Sequence, residues 1–384
     1  MKKQLTVALG LAVLATPAFA TKARLQSLGE DVNGSFFVND NRNIFLNPAQ
    51  INNHRDLVTF ELGDTSTPLD STATPKAEGG VFKQGGNLVY GVQLGSESNA
   101  SNHFRTAAGL AGADEENNID LFVGGDTGLK WGANVTYTSS DKDEAAGAAG
   151  TNDPEQSAVR TRMGVIMGDT QVFGGINVTN DAEDAVGSEF EGDLGYRVGV
   201  IQAWNGYSIF GDFQSLEAEG EVAGTKSDLK ARTINAGIGK VSRLNDRANL
   251  YTRVQYSNVD AENEGATAGF GASCNSSLSL NCEEYKASFV PVVAGLEVEA
   301  TSWLSLRASV QQTVWGSEED ADNERPFGES TVVNAGATLK FGELAVDGVI
   351  GNTTGAATGP HTATGAGTLR SDVLMTRVGM TYRF

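Results

Sequence analysis

The residues that could carry catalysis or bind a metal are few and far apart in this chain. Its three histidines, His54, His103 and His361, belong to no cluster with the spacing of metal ligands, and no nucleophile motif accompanies any of them. The acidic stretch 318–326 lacks the turn glycine that a calcium loop requires at its sixth position. The sequence therefore predicts a protein that is not an enzyme and that needs no cofactor or metal.

The two cysteines, Cys274 and Cys282, lie close together in a stretch rich in Ser, Asn and Gly. Cysteines of an exported protein can oxidise. The pair is therefore interpreted as a disulfide that clamps a loop.

Charged side chains form a second set of reactive groups, and they recur at alternate positions within apolar segments. In 303–315, for example, Leu304 and Leu306 share one face with Val310, while Ser305 and Arg307 lie on the other. The same phase, applied along the chain, gives a polar face with the basic residues Lys130, Arg162, Arg197, Arg253, Arg307, Lys340, Arg377 and Arg383 and the acidic residues Glu61, Asp212, Glu297 and Asp347. Because burying so many charges away from water is costly, this face predicts a hydrated, pore-lining surface.

These side chains must be positioned by β-strands, because apolar and polar residues alternate along the segments that carry them. The pattern predicts about sixteen strands between residues 55 and 384. Their connections alternate between very short turns, such as Asn205-Gly206, and long, polar, acidic segments, such as 217–227. This alternation is typical of a transmembrane barrel with short periplasmic turns and long extracellular loops. The predicted fold of 55–384 is therefore all-β, an antiparallel up-and-down β-barrel.

Aromatic residues support the same prediction, since Trp and Tyr collect at the two interfaces of a membrane. Trp131, Trp204 and Trp303 lie close to predicted short turns, with Tyr207 and Phe341 beside them. They predict one aromatic girdle. A second belt, near the long loops, is predicted from Trp315, Tyr137 and Tyr256.

Residues 1–20 have the features of a signal peptide, with Lys2 and Lys3 before a short apolar run and small residues up to Ala20. Removing them leaves 26 of the 28 basic residues against 48 acidic ones, a net charge of -22. Such a balance excludes nucleic acid as a partner, because phosphates would be repelled. The chain is expected in the bacterial outer membrane.

The last eight residues, RVGMTYRF, follow the order polar, any, Gly, any, any, hydrophobic, any, hydrophobic, and Phe is the final residue. Gly379, Tyr382 and Phe384 occupy the key positions. The segment resembles the C-terminal insertion signal of bacterial outer-membrane barrels. That resemblance implies handling by the barrel-assembly machinery.

Over its mature length the pattern resembles the general diffusion porins of Gram-negative outer membranes. The resemblance implies a water-filled channel for ions and small hydrophilic solutes, outer-membrane lipid and lipopolysaccharide as partners, and a possible homotrimer. The basic lumen favours anions while the acidic loops concentrate cations, and the net prediction is a weak cation preference.

Residues 21–54 do not follow the strand pattern, and they contain NIFLNPAQI. Asn47, Pro48 and Ala49 resemble the start of the long-chain fatty-acid transporter family, in which a terminal segment plugs the barrel, although Gln50 replaces the usual glycine. The N-terminal segment (residues 21–54) is thus predicted to be periplasmic or inserted in the lumen. Two alternatives to a porin stay open: a plugged structural or adhesion barrel, and a channel for hydrophobic solutes like that family.

Overall fold

The computed structural model describes residues 21–63, 77–96, 117–141, 154–184, 187–222, 224–264, 284–320, 323–326, 331–352 and 377–384. The predicted signal peptide, both cysteines, His103 and His361 lie outside these residues.

Antiparallel β-strands make up most of the described chain. They are β1 (Leu57–Gly63), β2 (Ala77–Gly85), β3 (Leu88–Leu94), β4 (Ile119–Asp126), β5 (Lys130–Asp141), β6 (Glu155–Met167), β7 (Thr170–Glu183), β8 (Glu189–Gly192), β9 (Gly195–Trp204), β10 (Tyr207–Val222), β11 (Thr225–Asn245), β12 (Ala248–Glu264), β13 (Glu284–Glu299), β14 (Leu304–Asp320), β15 (Asn323–Pro326), β16 (Thr331–Phe341), β17 (Leu344–Asn352) and β18 (Arg377–Arg383).

The sheet closes on itself, because the first strand pairs with the last. Leu57 of β1 lies opposite Arg383 of β18, and the ladder continues to Gly63 opposite Arg377. Strands β8 and β9 both lie between β7 and β10, and β15 and β16 both pair with β14, so the 18 strands form 16 positions around the wall. The predicted sixteen-strand antiparallel barrel is confirmed.

Neighbouring residues along each strand face opposite sides of the wall. In β1, Phe60 on the outside is 54% exposed, whereas Glu61 on the inside is 5% exposed. Outward positions elsewhere are likewise large and apolar, as at Leu121, Val198 and Ile234. A closed barrel with such an exterior satisfies every backbone group while presenting hydrocarbon to lipid. The chain is therefore an outer-membrane barrel.

Aromatic side chains mark the ends of this apolar surface. Trp204, Trp303 and Phe341 are exposed beside short turns, and Tyr137 and Trp315 are exposed toward the opposite end. Among the described residues, no helix is long and apolar enough to cross a bilayer.

Turn chemistry fixes the short-turn end. Asn205 and Gly206 alone join β9 to β10, and both have positive φ, at 50° and 80°. This is the conformation of a type I′ hairpin, whose twist matches that of the flanking strands. The turn lies where the sequence predicted a periplasmic one.

The outer ends of several strands are longer than predicted. The segment 217–227, predicted as a loop, is a hairpin in which β10 and β11 stay paired up to Val222 opposite Thr225. Glu217 lies opposite Lys230, and Glu221 lies opposite Lys226. Cross-strand pairs of opposite charge stabilise an antiparallel ladder in water, which the apolar alternation could not reveal.

Inside the ring lies the N-terminal segment, with one short α-helix and two 3-10 helices. They are α1 (Lys22–Ser27), η1 (Asn41–Ile44) and η2 (Pro48–Asn53). Their apolar residues pack on inward residues of the wall: Leu25 and Leu28 cluster with Tyr251 of β12, and Ile51 clusters with Phe122 of β4. The interior of the barrel is thus a packed core where this segment crosses it.

Candidate functional site

Each helix of the N-terminal segment begins at a residue whose side chain caps it. The Thr21 hydroxyl accepts from Arg24 N at 3.2 Å, Asp40 Oδ1 accepts from Arg42 N at 3.0 Å, and Asn47 Oδ1 accepts from Ala49 N at 3.0 Å. Caps of this kind satisfy the free amides of a helical first turn. Pro48 then takes the first position of η2, where its missing N–H costs nothing.

A row of glycines on the inner wall receives η2. Gly124, Gly132 and Gly164 are direct neighbours across β4, β5 and β6. A Cβ at Gly132 would overlap the carbonyl of Pro48, and one at Gly124 would lie 2.5 Å from a methyl of Ile51. The row is therefore a groove shaped to the helix, and no larger residue fits there without moving η2.

Inward glycines of β16 and β18 receive α1 in the same manner. A Cβ at Gly336 of β16 would lie 2.6 Å from Ser27 Cβ, and one at Gly379 of β18 would lie 2.5 Å from Thr21 Cγ2. Gly379 is also a key residue of the C-terminal signature. Its contact with Thr21 gives a local structural reason for a glycine at this position. Tyr382 and Phe384 of that signature face outward, with ring centroids 6.5 Å apart.

Ion pairs hold the α1 end to the wall. Arg24 donates to Glu297 Oε1 from Nε at 3.2 Å and to Asp40 Oδ2 from Nη1 at 3.1 Å. Glu297 also accepts from Arg307 Nε at 2.6 Å, and Arg307 Nη1 donates to Asp347 at 3.0 Å. These five residues form one chain of alternating charge, buried except at the partly exposed Glu297, from β13, β14 and β17 into the segment.

A second ionic cluster lies at the seam where β1 meets β2. Arg42 Nη1 is 3.2 Å from Glu78 Oε2 and 3.9 Å from Glu61 Oε1. Lys22 pairs with Glu78 through its side chain, and its backbone N donates to Glu61 Oε2 at 2.7 Å. Two basic residues of the segment thus face two acids of the wall.

The twelve charged residues predicted for the lumen fall into three groups. Those bound to the N-terminal segment are Lys130 (to Asn53), Arg253 (to Glu30), Arg377 (to Gln26), Glu61 and Glu297. Those paired with other wall residues are Arg162, Arg197, Arg307, Asp212 and Asp347. Lys340 and Arg383 lie at the short-turn end, where Lys340 pairs with Glu299 at 2.7 Å. Where the sequence predicted water around these charges, the structure places side chains of the segment around much of the set.

The sequence did not single out several residues that complete the site. Arg24, Arg42 and Asp40 lie in the segment without strand periodicity, and Glu78 and Asp120 are inward on β2 and β4. The capping residues Thr21, Asp40 and Asn47, the last followed by Pro48, were the available signal for helices here. No local pattern could have paired Arg24 with Glu297, 273 positions away.

Burial shifts the protonation of two groups in the segment. Desolvation raises the pKa of Asp40 to about 6, although Arg24 opposes the shift. Desolvation and then the positive charge of Arg383 lower the pKa of His54 to about 3. At neutral pH Asp40 is an anion and His54 is uncharged. Among the described residues no group of three His, Cys, Asp or Glu side chains could hold a metal ion.

Comparisons with known proteins describe the barrel and not its role. A scan against protein-family models finds no match, and a search of curated proteins finds none either. Among solved structures, the chain is similar to the CymD monoaromatic hydrocarbon channel, at 11% identity over 96% of this chain and 99% of that one, with a TM-score of 0.40. It is also similar to a Pseudomonas aeruginosa FadL homologue, at 11% identity over 95% and 98%, with a TM-score of 0.40. The outer membrane channel DcaP of Acinetobacter baumannii shares 12% identity over 85% and 95%, with a TM-score of 0.39.

Proposed function

We propose that this protein is an outer-membrane channel for small hydrophilic solutes, in which the N-terminal segment acts as a displaceable plug. Sixteen strands enclose a lumen wide enough for an aqueous path. The segment occupies part of that lumen and docks through buried charges as well as apolar contacts. The proposal joins the porin-like wall to the plug.

The observation that carries this proposal is the polarity of the wall beneath the segment. Glu61, Glu78, Glu297, Arg307 and Asp347 are all inward and mostly covered. Buried ion pairs give little net stability compared with apolar packing, so a permanent plug would be held better by leucines. Charged side chains on the wall suit a segment that leaves, because water hydrates them readily once the segment is displaced.

Conductance in planar bilayers tests the channel. The full-length protein is expected to give infrequent ion-current steps, and a chain lacking residues 21–46 is expected to give steps several-fold larger. Because that deletion removes part of the core and could prevent folding, Gly132→Val in the full chain provides a second test. Its new side chain overlaps Pro48 and should loosen η2 first, so this variant should also give larger steps. Folding of each variant is checked by circular dichroism.

The alternative of a plugged structural or adhesion barrel is supported by one observation: the segment covers the inner face of many wall strands. It predicts no current steps from the full-length protein, in which the plug stays in place. The alternative of a channel for hydrophobic solutes is less well supported, because a lumen rich in ion pairs offers such a solute little apolar surface. The barrel-assembly machinery, lipopolysaccharide and a homotrimer stay predictions for this channel.

A further inference from the structure

A cavity of about 240 Å³ lies between the N-terminal segment and the wall. It reaches from the segment to Ser96, which follows the outer end of β3. The residues that decide its chemistry are Arg42, Phe45, Arg162, Phe173 and Arg197. Of these residues, Arg42 also pairs with Glu78 of the wall, whereas Arg162, Phe173 and Arg197 belong to the wall itself.

The arginines of this cavity are held from behind. Arg197 Nε donates to Asp212 Oδ2 at 2.7 Å, and Arg162 Nη1 is 3.6 Å from Asp120 Oδ1. The side chains of the two acids are 2% and 0% exposed and do not line the cavity, whereas those of Arg197 and Arg162 are 37% and 22% exposed. The acids therefore fix the orientation of the guanidinium groups, whose exposed parts line the cavity.

Aromatic rings lie beside the same guanidinium groups. Arg197 Cζ is 5.8 Å from the centroid of Phe173, and Arg162 Cζ is 6.0 Å from the centroid of Phe45. A ligand in the cavity therefore meets hydrogen-bond donors and ring surfaces side by side. A planar anion with an attached apolar group matches both.

Four arginines, Arg160 among them, line the cavity, and three nearby acids offset most of their charge, which favours an anion with one negative charge. Asp120 and Asp212 already offset part of the charge of Arg162 and Arg197, and Asp31 also lines the cavity. The acidic exterior would further repel a multiply charged anion. The volume is ample for a single ring, since a cavity of about 150 Å³ accepts benzene.

We propose that this cavity binds a small monocarboxylate that carries an aromatic or branched apolar group. The inference rests on the proposed channel, because it names a class of solute that the lumen would admit. Binding must be weak enough for release if the site lies on a transport path. A millimolar affinity fits arginines that already have partners.

Equilibrium binding of benzoate to the full-length protein in detergent tests this site. Calorimetry should detect benzoate, and its neutral analogue benzamide and the dianion phenyl phosphate should bind more weakly. In Arg197→Gln the dissociation constant for benzoate should rise about tenfold, as expected for the loss of a charge-assisted hydrogen bond. The double variant Arg197→Gln with Asp212→Asn, which leaves no unpaired acid behind, should show the same loss.

Arg243→Gln provides the matched control, because Arg243 is exposed near the 245–248 turn and pairs with Asp246 at 2.5 Å, away from the cavity. It should bind benzoate like the unaltered protein. Equal binding of benzoate and benzamide, or unchanged binding in Arg197→Gln, would overturn the proposal. Current steps without benzoate binding would refute this site and leave the channel, whereas charge-dependent binding without steps would leave the site and refute the channel.

Discussion

Both ends of the N-terminal segment fit against inward glycines of the barrel, but within the described residues only the α1 end is also held by ion pairs. The α1 end is fixed by the ion pairs of Arg24 and Lys22 to acids of the wall. The η2 end is fixed by shape, in a groove of three glycines, with amide hydrogen bonds such as Asn52 Nδ2 to the carbonyl of Trp131 at 2.9 Å. Both ends also pack apolar side chains on the wall.

This difference indicates which end of the plug moves. η2 is followed within a few residues by β1, so it is tethered to the wall by the chain itself. Leaving its groove would expose Ile51 and the apolar residues that pack on it. Undocking of the α1 end would expose Leu25 and Leu28, but it would also expose acids and bases that water solvates well. We therefore expect α1 to undock first, with η2 as the fixed end.

Loss of Arg24 should produce the largest effect. Arg24→Met leaves Asp40 without its ion pair and Glu297 with Arg307 alone, and breaking a buried pair from one side costs about 3 to 5 kcal/mol. Hydrogen exchange should show loss of protection across 22–28 while 47–53 stays protected. The triple variant Arg24→Met, Asp40→Asn, Glu297→Gln is the control, and it should recover much of the protection. Equal loss at both ends would contradict the distinction between them.

Filling the glycine groove should produce the converse result. In Gly132→Val the new side chain overlaps the carbonyl of Pro48, and overpacking of this kind costs about 1 to 3 kcal/mol. Amide hydrogen exchange should become faster in residues 47–53, with a smaller increase in residues 22–28.

Gly348→Val is the matched control for that change. A Cβ at Gly348 of β17 would meet only the carbonyl of Arg377, at 4.0 Å, so the same substitution in another strand leaves the segment in place. Similar exchange in the two variants would show that β-strand glycines, and not the groove, determine docking.

The same contrast explains what the sequence could predict. Strands such as β1 and β14 were predictable because alternation is local and one face must meet lipid. Phase alone also placed Glu297 and Arg307 inside. Whether water or protein covers them depends on Arg24, which is remote in sequence and lies outside any strand. The glycine groove was equally hidden, since Gly124, Gly132 and Gly164 become neighbours only once the register of three strands is set.

Acidification should act with opposite sign on the η2 end and on η1, in the middle of the segment. The pKa of His54 is lowered to about 3 by burial and by the charges of Arg383 and Lys130. As the pH falls, the undocked state therefore takes up a proton first, and docking weakens below the ordinary pKa of histidine. From pH 7 to 5 this amounts to ~2 kcal/mol. The pKa of Asp40 is raised to about 6 by burial, with Asp347 adding to the shift and Arg24 opposing it. Its docked state therefore takes up a proton first, and docking strengthens by ~1 kcal/mol over the same range.

Exchange measured peptide by peptide resolves these opposing titrations. On acidification, 47–53 should lose protection and 38–44 should gain it. In His54→Asn the loss at 47–53 should vanish while the gain at 38–44 persists. A uniform change along the segment would contradict separate titration at η1 and η2.

The smallest effect should come from the one predicted lumen lysine that pairs at the short-turn rim. Lys340 and Glu299 are bonded at 2.7 Å, but both side chains are substantially exposed, so water screens the pair and competes for it. Exposed pairs contribute less than about 1 kcal/mol, and neither residue contacts the segment through any hydrogen bond or ion pair of the described chain. Lys340→Gln should therefore leave exchange at both ends and current steps unchanged. A loosened α1 end in this variant would mean that charge at the rim, and not the buried chain from Arg24 to Asp347, controls the plug.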